Sequence, residues 1–173
     1  MKIFKGLFLV LFLLFMSCSK ESKVKDSDLL NEIILEIEER ESYDEVEYPL
    51  GLFAREYFKK EAEYAKEQLI KLAKIDLIFL SETESISLKL LKFQLQDTID
   101  YYEFEKYLNP LLSDSGFHTN FSFMVRPFHN YEQVKDYLTK LNAIPSRVGQ
   151  FLPLLREGLE KGVSQPSVIF NGY

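Results

Sequence analysis

The chain has one cysteine, two histidines and no apolar run long enough to span a bilayer, and each scarcity excludes a class of structure. Because Cys18 is the only cysteine among 173 residues, no disulfide can form within the chain. Neither His118 nor His129 is followed by glutamate, so the helical motif in which two histidines bind zinc beside a glutamate general base is absent. Internal repeats and low-complexity segments are also absent. Repeat architectures and disulfide frameworks are therefore excluded.

The N-terminal residues 1–18 resemble a lipoprotein signal. Lys2 and Lys5 form a short positive region, and the apolar run from Leu7 to Met16 is too short for a transmembrane helix. In the segment Phe15-Met16-Ser17-Cys18, the bulky Phe15 lies three residues before the cysteine and the small Ser17 lies directly before it. We predict that Cys18 receives lipid and attaches the protein to a membrane of the bacterial cell envelope, on the periplasmic or outer-surface face. The alternative is an ordinary cleaved signal with an incidental cysteine.

Charge and composition after the signal indicate a globular piece on a short tether. Residues 1–17 are interpreted as the signal peptide, and residues 18–27 are polar without apolar periodicity, as in a solvated tether. The net charge is −6, and loss of the signal's two lysines makes it more negative. An acidic surface repels phosphate backbones, so the sequence predicts no nucleic-acid partner.

Residues 28–103 show helical periodicity. Apolar residues recur at steps of three and four, and charged residues occupy the other faces. Three amphipathic helices are predicted, the first capped by Ser27 or Asp28 and ending near Arg40, the second running from Leu52 to Leu72, and the third from near Ser85 to Tyr102.

The periodicity stops between Tyr107 and Asn130, which predicts one long loop rich in aromatic residues. Most aromatic side chains between Tyr101 and Tyr137 are expected to pack in a core, and a sugar- or peptide-binding platform is the alternative. Asn130 is predicted to cap a helix, with Gln133 in a capping-box-like exchange. A separate final helix is predicted to begin at Pro145 and end near Gly162. The fold class is therefore all-α, with amphipathic helices and one long loop.

A series of short segments in the second half of the chain carries a family resemblance. In order, the segments are Tyr107-Leu108 with Pro110-Leu111, Gly116-Phe117-His118, Pro127-Phe128, Tyr137-Leu138 with Leu141, Ile144-Pro145, and Leu154-Leu155-Arg156-Glu157-Gly158 with Gly162 and Pro166. In this order and spacing they resemble the bacterial domain-of-unknown-function 885 family. Members of that family are mostly helical, are often secreted or lipid-anchored, and look like zinc metallopeptidases. The chain departs from the family pattern at Pro153 and Ser167.

The resemblance implies a function that this chain does not complete. The family's zinc motif lies beyond residue 173, so residues 28–173 would form the N-terminal part of a larger helical metallopeptidase-like fold. Zinc and a peptide substrate are expected for the full-length protein, and no cofactor is expected in this chain. Phe117, His118 and Asn120 are predicted to line the substrate cleft, whereas a metal site made by His118 and His129 is not expected.

Two functions are consistent with these observations. In the first, the chain is the scaffold and cleft-wall portion of a lipid-anchored zinc peptidase. In the second, it is a complete short acidic helical lipoprotein that acts as a non-catalytic binding module. The first predicts apolar surface left uncovered at Phe151, Leu155, Leu159 and the segment from Val168 to Phe170.

Overall fold

The computed structural model describes residues 25–110, 126–163 and 165–170, and these residues are organised by four α-helices. Helix α1 spans residues 25–38, and α2, α3 and α4 span Arg55–Leu72, Glu82–Glu103 and Tyr131–Glu160. Short 3-10 helices occupy Leu77–Phe79, Lys106–Leu108 and Ser167–Phe170. The described part of the chain contains no strand, which confirms the all-α prediction. Its helices include none that is long and apolar enough to cross a membrane.

The first two helices begin at different residues than the periodicity predicts. Ser27, predicted as a cap, lies inside α1, where its hydroxyl donates a hydrogen bond to Glu84. Helix α2 begins at Arg55 rather than at Leu52. Gly51 before it has a φ of +93°, and the N–H of Phe53 is donated to the side chain of Gln150. That tertiary hydrogen bond holds the backbone outside the helix, which apolar periodicity does not reveal.

Helix α3 begins at Glu82 because of a capping box. The Ser81 hydroxyl accepts a hydrogen bond from the N–H of Glu84 at 3.3 Å, and the Glu84 carboxylate accepts one from the N–H of Ser81 at 2.7 Å. Two N–H groups that the first helical turn leaves unpaired are satisfied reciprocally. The start predicted near Ser85 was therefore late, although the Ser-x-x-Glu pattern is visible in the sequence.

Helix α4 is continuous, so the prediction of a separate helix beginning at Pro145 was wrong. Each proline within α4 removes the N–H that would bond the carbonyl four residues earlier. For Pro145 and Pro153 those carbonyls belong to Leu141 and Gly149, and all four residues are exposed. Water can bond the freed carbonyls there, so the helix continues through both prolines.

The N-terminus of α4 confirms the predicted cap. Asn130 accepts a hydrogen bond from the N–H of Gln133 at 2.9 Å. The Gln133 side chain in turn accepts one from the N–H of His129 at 2.8 Å, rather than from that of Asn130. His129 thus helps to start the helix through its backbone.

The described residues divide into two compact units, and the first combines residues 25–40 with residues 64–97. Its described core contains apolar residues of α1, α2, α3 and the turn after α2, together with one buried amide, Gln68. The Nε2 of Gln68 donates to Glu36 at 2.9 Å, and Lys71 bonds the same carboxylate at 2.5 Å and 2.7 Å. The apolar core residues are Leu30, Ile33, Ala65, Leu72, Ile75, Leu88 and Leu95.

The second unit combines residues 41–63 with the described residues after position 97. Its core forms where α4 packs against the 3-10 helix Lys106–Leu108, with Tyr107, Leu108, Phe151 and Leu154 buried. Phe151 is only 4% exposed, so its prediction as uncovered surface was wrong. Leu159 and Val168 are exposed as predicted, at 68% and 66%.

Candidate functional site

Four charged side chains of the second unit form one network at the C-terminal end of α4. Arg55 bonds Glu157 and lies 3.3 Å from Glu105. Lys161 bonds Glu105 at 2.5 Å and Glu157 at 3.0 Å. Glu105 reaches this position because it adopts a left-handed backbone, with a φ of 51°, between α3 and the following 3-10 helix. The network therefore joins the start of α2, the residue before the 3-10 helix Lys106–Leu108 and the C-terminal end of α4.

The network is electrostatically balanced. Burial opposes the charge of Arg55, but Tyr107, Glu157 and Glu105 outweigh burial and raise the Arg55 pKa. Hydrogen bonds from Lys161 and the charge of Arg55 lower the pKa of Glu157. Hydrogen bonds to Glu105 and Glu157 raise the pKa of Lys161. The neighbouring charges thus favour the charged forms of Arg55, Glu157 and Lys161, which suits a structural clamp better than proton transfer.

Aromatic rings pack beside this network. Phe58 stacks on Tyr107 with centroids 5.2 Å apart, and Tyr102 stacks on Tyr107 from 6.1 Å. Phe58 also contacts Tyr101, and Phe53 contacts Phe151 at 4.8 Å. Burial raises the pKa values of the Tyr101 and Tyr107 hydroxyls. Tyr101, Tyr102 and Tyr107 thus pack in the core of the unit, as predicted for aromatic residues in this region, whereas Phe104 and Tyr131 are 73% and 77% exposed.

Arg147 differs from Arg55 because no carboxylate pairs with it in the described residues. Its guanidinium lies 4.1 Å from the centroid of the Phe53 ring and 5.5 Å from that of Phe151. Its Nε is buried without a hydrogen-bond partner. Burial lowers the Arg147 pKa, and the nearby Tyr43 partly offsets this effect. Arg147 is thus a cation on an aromatic surface without a neutralising partner in the described chain.

The loop before α2 is held against Arg147 through its backbone. Gln150, one turn along α4, accepts a hydrogen bond from the N–H of Phe53 at 2.6 Å and donates to the Gly51 carbonyl. A Cβ added at Gly51 would lie 2.8 Å from the Phe53 ring and 3.4 Å from Nη1 of Arg147. Only glycine suits this close approach and its positive φ. We define Tyr43, Gly51, Phe53, Arg147 and Gln150 as the Arg147 site.

The sequence-predicted site residues are not among those that the structure describes. Cys18, Phe117, His118 and Asn120 lie outside the described residues, as does most of the predicted loop. His129 is described and is exposed. The cleft-lining role of Phe117, His118 and Asn120 and the lipidation of Cys18 therefore stay predictions.

The described residues do not fit a zinc ion. They contain no group of three or more His, Cys, Asp or Glu side chains that could hold a metal. A tetrahedral zinc site needs three or four such ligands. A zinc site with three or four such ligands would need at least one ligand from outside the described residues.

Sequence reasoning missed Arg55, Glu105 and Arg147. Glu157 follows Arg156 in the chain, and its structural partners are Arg55 and Lys161. One usable signal existed for Arg147, which interrupts the apolar stripe of α4 four residues before the buried Phe151. Residues four apart on a helix share a face, so a cation at this spacing is directed toward the core.

These observations define the class of protein: an all-α protein in which ion pairs hold the C-terminal end of α4 beside a buried aromatic core. Comparison with protein families identifies its membership. Residues 42–172 match the family described as bacterial protein of unknown function DUF885. The match covers more than half of the chain, and the protein belongs to this family. It confirms the family resemblance found in the sequence.

No curated protein and no solved structure matches the chain.

Proposed function

We propose that this chain supplies the N-terminal scaffold and one wall of the substrate cleft in a lipid-anchored, zinc-dependent peptidase-like protein. The observation that carries the proposal is the family match across residues 42–172, which begins soon after the predicted tether. The compensated charges around Arg55 support a scaffolding role, since they join α2, α4 and Glu105 without leaving a reactive group. The ligands of the zinc ion would come from outside the described residues.

The lipid anchor is supported by the sequence alone. The segment Phe15 to Cys18 has the pattern of a lipoprotein signal, and Cys18 is the only thiol in the chain. Two or more acyl chains are needed for firm membrane attachment, because one chain gives only marginal binding.

One bacterial expression experiment tests both parts. The full chain is labelled with a palmitate analogue beside Cys18→Ser, and the purified protein is assayed for zinc and peptidase activity. We expect label on the wild type only, no stoichiometric zinc and no peptidase activity, because the ligand set is incomplete. Equal labelling of the two proteins would refute the anchor. Stoichiometric zinc that is lost in His118→Ala, but kept in the control His129→Ala, would refute the scaffold role.

A second candidate is a complete acidic helical lipoprotein that acts as a non-catalytic binding module. Arg147 favours this candidate, because binding sites combine aromatic side chains with a small number of charged groups. The DNA after the Tyr173 codon discriminates between the two candidates. An open reading frame supports the peptidase-like protein, and a stop codon supports the binding module.

A further inference from the structure

We propose that an exposed apolar stripe on α3 lies in the headgroup boundary of a zwitterionic phospholipid membrane. The stripe consists of Ile86, Leu90 and Phe93, which share one face of the helix because they are four and three residues apart. All three side chains are exposed. The inference rests on the lipid anchor of the proposed function, and it adds the face of the protein that contacts the lipid.

The start of α1 is held against the start of α3. The Ser27 hydroxyl on α1 donates a hydrogen bond to Glu84, in the first turn of α3. Asp26, the preceding residue, accepts a hydrogen bond from the N–H of Asp76 at 3.0 Å. These residues all belong to the first unit. Lys25, the first described residue, is therefore close to the N-terminal end of α3.

The chain itself limits the distance between the predicted anchor and α3. Seven residues separate Cys18 from Lys25, and seven fully extended residues span at most about 25 Å. Phe93, at the far end of the stripe, lies nine residues after Glu84, which is about 14 Å along a helix. A lipid on Cys18 thus keeps the stripe near the membrane surface. A surface held this close needs only weak intrinsic affinity, because the tether makes binding intramolecular.

The residues that border the stripe suit a zwitterionic surface. Lys89 beside the stripe, and Glu82 and Asp97 at its two ends, are exposed. A zwitterionic headgroup carries one positive and one negative group, so side chains of either sign meet an opposite charge there. The net charge of −6 works against binding to anionic lipid. Apolar contact is therefore the main contribution, as in helices that lie in the membrane interface.

Single-tryptophan variants of the full lipidated chain test the proposal, because the sequence contains no tryptophan. Phe93→Trp reports on the stripe, and Leu35→Trp is the matched control. Leu35 is 53% exposed, on the face of α1 opposite the buried Leu30 and Ile33. Both α1 and α3 turn their buried residues toward the core of the first unit, so their outer faces point in different directions.

Each variant is labelled with the palmitate analogue and reconstituted into phosphatidylcholine vesicles, with or without bromine on the acyl chains. Brominated chains quench a tryptophan that reaches the hydrocarbon boundary. We expect them to reduce the emission of Phe93→Trp at least about twofold, because an interfacial helix buries its apolar face roughly 5–10 Å into that boundary. The emission of Leu35→Trp should not change.

The other outcomes overturn the proposal in distinguishable ways. Equal emission of Phe93→Trp in the two kinds of vesicle would show that the stripe does not contact lipid. A blue shift of its emission without quenching would show that protein, such as a second copy of the chain, covers the stripe instead. A labelled chain without quenching would overturn this inference and leave the lipid anchor intact, whereas a chain that takes no label would overturn both.

A second substitution tests the stripe as a whole. Leu90→Lys, introduced into the Phe93→Trp chain, removes the middle apolar side chain of the stripe. We expect about tenfold weaker insertion, because burial of one leucine side chain contributes at least this factor. The quenching should then fall toward that of Leu35→Trp. Undiminished quenching would show that the stripe does not act as a unit and would overturn the proposal.

Discussion

Gly158 lies where the backbone of α4 approaches the 3-10 helix Lys106–Leu108. A Cβ added there would lie 2.6 Å from the Leu108 carbonyl oxygen and 3.3 Å from that of Val163. Both contacts are with backbone, which cannot turn away as a flexible side chain can. Gly149 in the same helix has no atom within 4 Å of an added Cβ. Two glycines of one helix thus have opposite roles, one required by packing and one tolerated.

Alanine substitution separates these two glycines. Gly158→Ala forces α4 away from Leu108, so we expect a loss of about 1–3 kcal/mol in the free energy of unfolding. Gly149→Ala should raise it by about 0.5–1 kcal/mol, because alanine has the better helix propensity and nothing obstructs its methyl group. Urea denaturation of both variants measures the difference. Similar effects of the two substitutions would contradict the close packing at Gly158.

At the scale of the elements, hydrogen bonds between side chains join α1 to α2. Glu36 on α1 accepts from Gln68 and Lys71 on α2. Hydrogen bonding to Lys71, then to Gln68, lowers the pKa of Glu36 from its ordinary value of 4.5. Gln68 is fully buried and its Oε1 has no hydrogen-bond partner. The Nε2 of the same amide is satisfied by the Glu36 carboxylate. The contact orients two helices as well as neutralising Lys71.

The lowered pKa of Glu36 predicts part of the acid sensitivity. A carboxylate whose pKa is lower in the folded state stabilises the protein above its unfolded pKa, and this contribution is lost as the pH falls through the folded pKa. We therefore expect Glu36→Gln to lose less stability than the wild type between pH 7 and the range below 4.5. Urea midpoints across this range measure the loss. Glu38→Gln, at an exposed position of the same helix, is the control and should match the wild type.

At the scale of the whole molecule, many large apolar side chains are exposed. In the first unit, three of them lie on one stripe of α3, with Ile86 52%, Leu90 59% and Phe93 71% exposed. Leu88, between them in sequence, is only 1% exposed. Steps of four and three residues place the exposed residues on one helix face, away from Leu88. This exposed stripe of α3 is apolar surface of the kind that the first functional hypothesis predicts, although it lies at other residues.

Lysine substitutions on α3 test this surface. Leu90→Lys should change the free energy of unfolding by less than about 0.5 kcal/mol, because the site is exposed and both residues favour helix. It should also reduce the fluorescence of a bound hydrophobic dye. Leu88→Lys buries an unpaired charge and should prevent cooperative thermal unfolding. Unchanged dye binding in Leu90→Lys would show that this stripe is not the exposed apolar surface.

Local signals in the sequence determined the fold class and much of the helix pattern. Three- and four-residue periodicity predicted helices in the regions of α1 to α4, and Asn130 was correctly predicted as a cap. These features depend on residues close in sequence, so they can be read without a structure. The family resemblance was likewise contained in short segments between Tyr107 and Pro166.

The tertiary structure decided what depends on distant residues. Helix α2 begins at Arg55 because Gln150, far along the chain, bonds the N–H of Phe53. Glu157 pairs with Arg55, which is 102 residues away in the chain, because tertiary packing brings the start of α2 to the end of α4. The Arg147 site exists only because a loop and a helix separated by nearly a hundred residues meet, as the separation of 97 between Phe53 and Gln150 shows. Periodicity records which face of a helix is buried, but not which residues bury it.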